Sequence, residues 1–122
     1  MRNTIKNHKD FFMADSDPAA LSALFVVRAK PAKLPDDPRY GVIAAKRTFK
    51  LAVQRNRAKR LLREWIRFHQ NLLAPECDYV FVARFPILDA DRESGRAAMA
   101  KALMHIQRKY VKKIKNSNEE NS

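Results

Sequence analysis

Apolar and polar positions fall along this chain in three short strand-like runs and two longer helical stripes. Leu24–Lys30 (LFVVRAK) is β-branched and apolar and predicts a strand, ending where Pro31, Pro35 and Pro38 punctuate a flexible connection. Tyr40–Arg47 (YGVIAAKR) reads as a second strand. Asp78–Phe85 (DYVFVARF) is the most strand-like segment and stops at Pro86. Between the second and third strands a helix is predicted from about Lys50 to Leu73, with Pro75 beyond it as terminator. A last helix is predicted to start after Asp89 or Asp91, either of which can cap it. Its core face is Met99, Leu103, Ile106, Tyr110 and Ile114, recurring at spacings of three and four. Residues 1–21 read as a short helical arm carrying Ile5, Phe11, Phe12 and Met13.

The predicted order is therefore α-β-β-α-β-α, an α+β sandwich in which a central sheet packs with helices. One domain over residues 1–114 and a polar, disordered tail over 115–122 complete the organisation. The link from the second strand through the middle helix to the third has the form of a parallel crossover, and such crossovers are nearly always right-handed. Only two glycines occur, which leaves no room for a glycine-rich phosphate loop.

Charge changes the picture at the middle helix. Six cations fall within the thirteen residues from Arg55 to Arg67. At roughly 100° per residue, Lys59, Arg63, Asn56, Arg67 and Arg60 share one arc, with Arg55 just to one side. Phe68, Leu61, Leu72, Trp65, Ala58, Leu51 and Leu62 share the other, wide enough to pack on a core. Arg57 lies at the seam. Glu64 alone offers opposite charge in the run, so pairing within the helix cannot neutralise it. A solvated helix face, the ordinary state of charged helices, explains this imbalance poorly.

Over all 122 residues, Lys and Arg number 25 against 13 acids, a formal net charge of +12. That balance favours a nucleic acid or an anionic membrane as partner. No apolar stretch approaches the ~20 residues of a membrane span, and no secretory h-region is present, so no membrane association is expected. The single cysteine, Cys77, excludes an internal disulfide and fits a reducing cytoplasm; its acidic neighbours Glu76 and Asp78 disfavour a thiolate. His8, His69 and His105 lack metal-ligand spacing, and His69 falls among the apolar positions of its helix as a packed ring. Asp36 and Asp37 read as a solvated turn, and Asp89, Asp91 and Glu93 as helix-start residues. No catalytic constellation emerges, and the chain reads as a binder.

Arginines and lysines on a helix neutralise phosphates without reading sequence, while Asn56 among them can bond a base edge or sugar. Phe11, Phe12 and Tyr40 are candidate stacking surfaces for unpaired bases, each with core packing as the competing role. A helix in a DNA major groove is the rival geometry, but strands on both sides of the basic helix leave no helix-turn-helix pair. A general RNA- or DNA-binding module and a protein-only nuclease compete with any more specific reading.

The stretch GVIAAKRTFKLAVQRNRAKRLLRE narrows it. Tyr40-Gly41-Val42, Lys46-Arg47, Ala52-Val53, Arg55-Asn56-Arg57, Lys59-Arg60 and Arg63-Glu64 resemble the signature of the bacterial ribonuclease P protein component. RNR alone is a weak pattern; RNRxKRxxRE after a strand ending in KR is highly specific. The strand at Tyr79–Arg84 and the pair Asp10-Phe11 extend the likeness. It implies a rare left-handed βαβ crossover through the basic helix, and a function. The chain would be an accessory subunit bound as a monomer to one catalytic RNA, the complex removing the 5′ leader of precursor tRNA by hydrolysis. RNA and its Mg²⁺ ions would carry the chemistry, with no metal ligand assigned in the protein. Docking on the catalytic RNA is implied for Arg55, Asn56, Arg57, Lys59, Arg60, Arg63 and Arg67. Leader contact in the cleft between sheet and first helix is implied for Phe11, Lys46, Arg47, Tyr40 and Arg28. Two departures stand out. After Phe11 the chain passes into MADSDPAA, without the family's second aromatic, and Arg28 stands where strand one often has an aromatic.

Overall fold

This computed structural model describes residues 2–12, 14 and 17–120, with side chains as far as Tyr110 apart from that of His8. Five strands form one sheet: β1 (Asn3–Thr4), β2 (Ala19–Leu21), β3 (Phe25–Pro31), β4 (Arg39–Ile43) and β5 (Cys77–Ala83). Their spatial order is β1-β4-β5-β3-β2. β4 and β5 run parallel, joined through α1 (Ala52–Phe68), so the parallel crossover expected through the basic helix is present. β3 lies antiparallel on the other side of β5, pairing from Phe25↔Ala83 to Pro31↔Cys77.

The pleat sorts side chains between two environments. Phe25, Val27 and Ala29 of β3 and Tyr79, Phe81 and Ala83 of β5 point to the helix layer and are buried. There they meet Leu62, Trp65 and Ile66 of α1 and Met99, Leu103 and Ile106 of α2 (Arg92–Glu120). Asp91 caps α2, its Oδ1 accepting from the Ser94 N–H at 2.7 Å. A Cβ on Gly95 would lie 2.0 Å from the Trp65 ring, so a side chain at that position would push α2 away from α1.

Several sequence expectations change. Among the described residues of 1–21 there is no α-helix. β1 adds in parallel to β4, a 3₁₀ turn spans His8–Phe11, and β2 forms the far edge. The arm lacks enough periodic apolar residues for an α-helical stripe, and pairing with the sheet satisfies its backbone instead. The order is thus β-β-β-β-α-β-α with short 3₁₀ turns, still α+β. α1 ends at Phe68 rather than Leu73, and residues 70–72 form a 3₁₀ turn. α2 continues as helical backbone to Glu120, across the segment expected to be a disordered tail. Ile114 and Met13 lie outside the described side chains.

Candidate nucleic-acid interface

α1 is packed by the sheet, by α2 and by the 3₁₀ turn Phe85–Asp89, and this fixes which of its charges reach solvent. Its buried residues are Ala58, Leu62, Trp65 and Ile66. That stripe is rotated by roughly 50° from the one read off hydrophobicity alone. Leu51 and Phe68, placed in the core by the sequence pattern, are 58% and 53% exposed. Asn56, Arg57, Arg60, Arg63 and Arg67 are exposed, while Arg55 and Lys59 are half-buried.

Arg55 is engaged inside the protein. Its Nη1 donates to the carbonyls of Phe49 at 2.8 Å and Lys50 at 3.2 Å, fastening the turn that leads into the helix. Gln54 Oε1 accepts the Leu51 N–H at 3.3 Å, supporting the same end. Glu64 is turned to α2, with Arg92 Nε at 3.4 Å and Arg96 Nη2 at 3.2 Å. Among the described residues no ion pair involves Arg57, Arg60 or Arg63. Fixed, unneutralised cations on a rigid helix suit a polyanion.

The second surface is the sheet face opposite the helices. The N-terminal segment crosses part of it as a strap. Lys30 Nζ donates to the Asp10 and Phe12 carbonyls at 2.7 and 2.9 Å, and Arg28 Nη1 to the Ala14 carbonyl at 3.2 Å. Asp10 pairs with Lys33 at 3.0 Å and Arg39 at 3.1 Å, and Arg39 reaches the fully buried Asp78 at 3.4 Å. The Phe11 ring lies against Gly41, where a Cβ would come within 2.3 Å of it. Gly41 has no positive φ, so its role is to admit that ring. Gly41→Ala is therefore expected to lever Phe11 off the sheet. Amide exchange of residues 9–12 should accelerate while β3 and β5 stay protected; unchanged exchange would contradict the contact.

The Lys33 ammonium, followed by the Arg39 guanidinium, holds the Asp10 carboxyl below the usual carboxylate range, against the opposing effect of desolvation. A depressed acid contributes stability above its unfolded pKa of about 3.9 and loses it as pH falls through the lower folded value. The strap should loosen in strong acid, and Asp10→Asn should remove that acid dependence when exchange at residues 9–12 is followed against pH.

Beyond the strap the open face is apolar, with Ile43 and Val26 half-buried and Val82 and Leu21 exposed. At its β2 edge it runs into a cavity of about 670 Å³ between β2 and α2. Ala19, Ala20, Ala98 and Ala102 leave the space, and Arg28, Lys101, His105, Arg108 and Lys109 line it, with no acid among the described lining residues. Lys109 Nζ also donates to the Ala19 carbonyl at 2.9 Å. The α2 members were missed in the sequence, although positions 101, 105, 108 and 109 recur on one helical flank beside the core stripe.

The structure distributes the residues proposed for leader contact unevenly. Phe11 and Arg28 lie on the open face, and Lys46 and Arg47 are exposed beyond the end of β4. Tyr40 is 3% exposed in the core, because its pleat position faces the helices, so it offers no stacking surface. Phe12, by contrast, is 74% exposed beside the strap. Cys77 is buried and its thiol pushed up to about 11 by desolvation, which removes it as a nucleophile. His69 Nε2 sits 2.9 Å from the Arg96 carbonyl as a packed ring. Among the described residues no group of three or more His, Cys, Asp or Glu could hold a metal ion, and no helix is long and apolar enough to cross a membrane.

A family model described as Ribonuclease P matches residues 1–107. The Ribonuclease P protein component of Pseudomonas putida is 55% identical over 49 residues, 40% of this chain and 36% of that protein. That of Cronobacter sakazakii is 38% identical over 80 residues, 66% of this chain and 63% of that protein. The chain thus spans about a third to two thirds of the length of these relatives. The Staphylococcus aureus RNase P protein superposes with a TM-score of 0.70 at 26% identity, covering 85% of this chain and 94% of that one. The Thermotoga maritima RNase P protein gives 0.67 at 21% identity, covering 82% and 94%, a likeness of fold.

Proposed function

The chain belongs to the Ribonuclease P family, and from that premise we propose that it is the protein subunit of a ribonucleoprotein endonuclease that trims precursor tRNA at its 5′ end. The observation that supports this reading is the pair of cation-rich surfaces on opposite layers of one domain. The α1 face of Asn56, Arg57, Arg60, Arg63 and Arg67 docks on the catalytic RNA, with Lys59 at its margin and Arg55 holding the helix in place. The open sheet face, from the Phe11 strap to the basic cavity at β2, receives the single-stranded leader.

On that face phosphates meet Arg28, Lys101, Arg108 and Lys109, and bases lie against Val26, Val82, Leu21 and the exposed Phe12. Lys46 and Arg47, in the turn that joins β4 to the helix, supply charge between the two surfaces. Mg²⁺, held mainly by the RNA, supplies the activated water and leaving-group stabilisation for hydrolysis. The protein's contribution is binding and orientation. One protein per RNA, acting in the cytoplasm, is the simplest form of the complex.

The test is leader dependence. Affinity of the RNA–protein complex is measured for precursor tRNA and for mature tRNA lacking the leader. The protein should favour the precursor, and Lys101→Glu with Lys109→Glu should shrink that preference while leaving affinity for the catalytic RNA intact. Equal affinity for both tRNAs would favour a general RNA-binding module.

A further inference from the structure

We propose that Phe68 and Arg96, at the corner where α1 meets α2, form a stacking site for an unpaired nucleobase of the RNA that the arginine face binds. This inference rests on the docking role given to α1 above.

Phe68 is a large ring left 53% exposed at the end of the basic helix. Arg96 Cζ stands 3.8 Å from its centroid, close enough that the guanidinium must lie over the ring face. The guanidinium is fixed there. Glu64 Oε1 accepts from Arg96 Nη2 at 3.2 Å, and His69 Nε2 contacts the Arg96 carbonyl at 2.9 Å. Arg96 Nε is itself buried, with no hydrogen-bond partner among the described residues. Glu64, the acid that pairs with it, also takes Arg92, whose own side chain is 72% exposed.

Three features point to RNA as occupant. Arg60, Glu64 and Phe68 recur at spacings of four on one row of α1, so the ring lies about 12 Å along the helix from Arg60. A strand docked on Arg57, Arg60 and Arg63 continues onto it. Arg92, paired with Glu64 one turn before the ring, adds positive charge, and Glu64 is already bridged by two arginines. A pre-assembled aromatic–guanidinium stack also presents the flat, polarisable surface on which bases of any identity settle.

The experiment uses the full chain and its catalytic RNA transcript, with binding measured across a salt series for Phe68→Ala, Phe68→Leu and Phe68→Tyr. Leu keeps apolar packing against the Arg96 stem but cannot stack. The expected result is about a tenfold loss of affinity for both Ala and Leu at every salt concentration, with the log–log salt slope unchanged because no cation is removed. Tyr should restore binding to near the wild-type level. Circular dichroism confirms that each variant is folded. Wild-type affinity in the Ala variant, or full rescue by Leu, would overturn the stacking site and leave Phe68 as a clasp between helices. Wild-type binding that an Arg57, Arg60 and Arg63 triple-alanine variant fails to weaken would overturn the docking role first, and the stacking site with it.

Discussion

Replacing Arg57, Arg60 and Arg63 together by alanine lowers the salt slope of catalytic-RNA binding by about 2–3, at roughly 0.7–0.9 per lost phosphate contact. These three are exposed, and among the described residues none is drawn into an ion pair. Their removal should leave the fold intact, since the helix is held by Leu62, Trp65 and Ile66 on its other side. Arg55→Ala is the instructive contrast. It breaks two hydrogen bonds to the turn before α1, so its effect should appear in stability and in the precision of docking, with a smaller change in slope. Titrations of RNA binding at several salt concentrations check both. An unchanged slope for the triple variant would mean that the RNA lies elsewhere.

Trp65→Ala is expected to destabilise the domain by about 3–5 kcal/mol, the range for truncating a fully buried aromatic. Its indole is fully buried between the helices, packed against Gly95. The loss should fall toward the lower end, because the indole Nε1–H is buried without a partner and its removal relieves that penalty. Trp65 is the only tryptophan, so unfolding of the variant is followed by circular dichroism in denaturant. A shift below about 1 kcal/mol would contradict the packing described.

The elements that depend on their own residues were readable in advance. β3 and β5 are rich in β-branched and aromatic residues and stop at or shortly before Pro31 and Pro86, α1 announces itself by periodicity, and Asp91 caps α2 as its position suggested. What escaped depends on distant partners. The N-terminal arm follows the sheet because Arg2 bonds the carbonyls of Cys77 and Ala74, at 2.6 and 2.7 Å, some seventy residues away. The buried stripe of α1 is turned toward Ile66 because α2 and the Phe85–Asp89 turn pack on the helix beside the sheet, which its own hydropathy does not mark.

The interface was legible to a similar depth. Charge density marked the helix, but not that Arg55 is engaged in the turn before it or that Phe68 faces water. Tyr40 and Arg28 both belong to strands in the sequence. Only pairing Tyr40 with Tyr79 and Arg28 with Val80 reveals that the first faces the core and the second the open face. The basic flank of α2 gained meaning once β2 was placed beside it, since the cavity belongs to neither element alone.

The most direct test of an accessory role is cleavage of precursor tRNA at low Mg²⁺ by the protein alone, by the catalytic RNA alone, and by both together. The expected result is no cleavage by the protein, little by the RNA, and efficient release of the 5′ leader by the combination. Cleavage by the protein alone, or no gain from combining the two, would contradict the account.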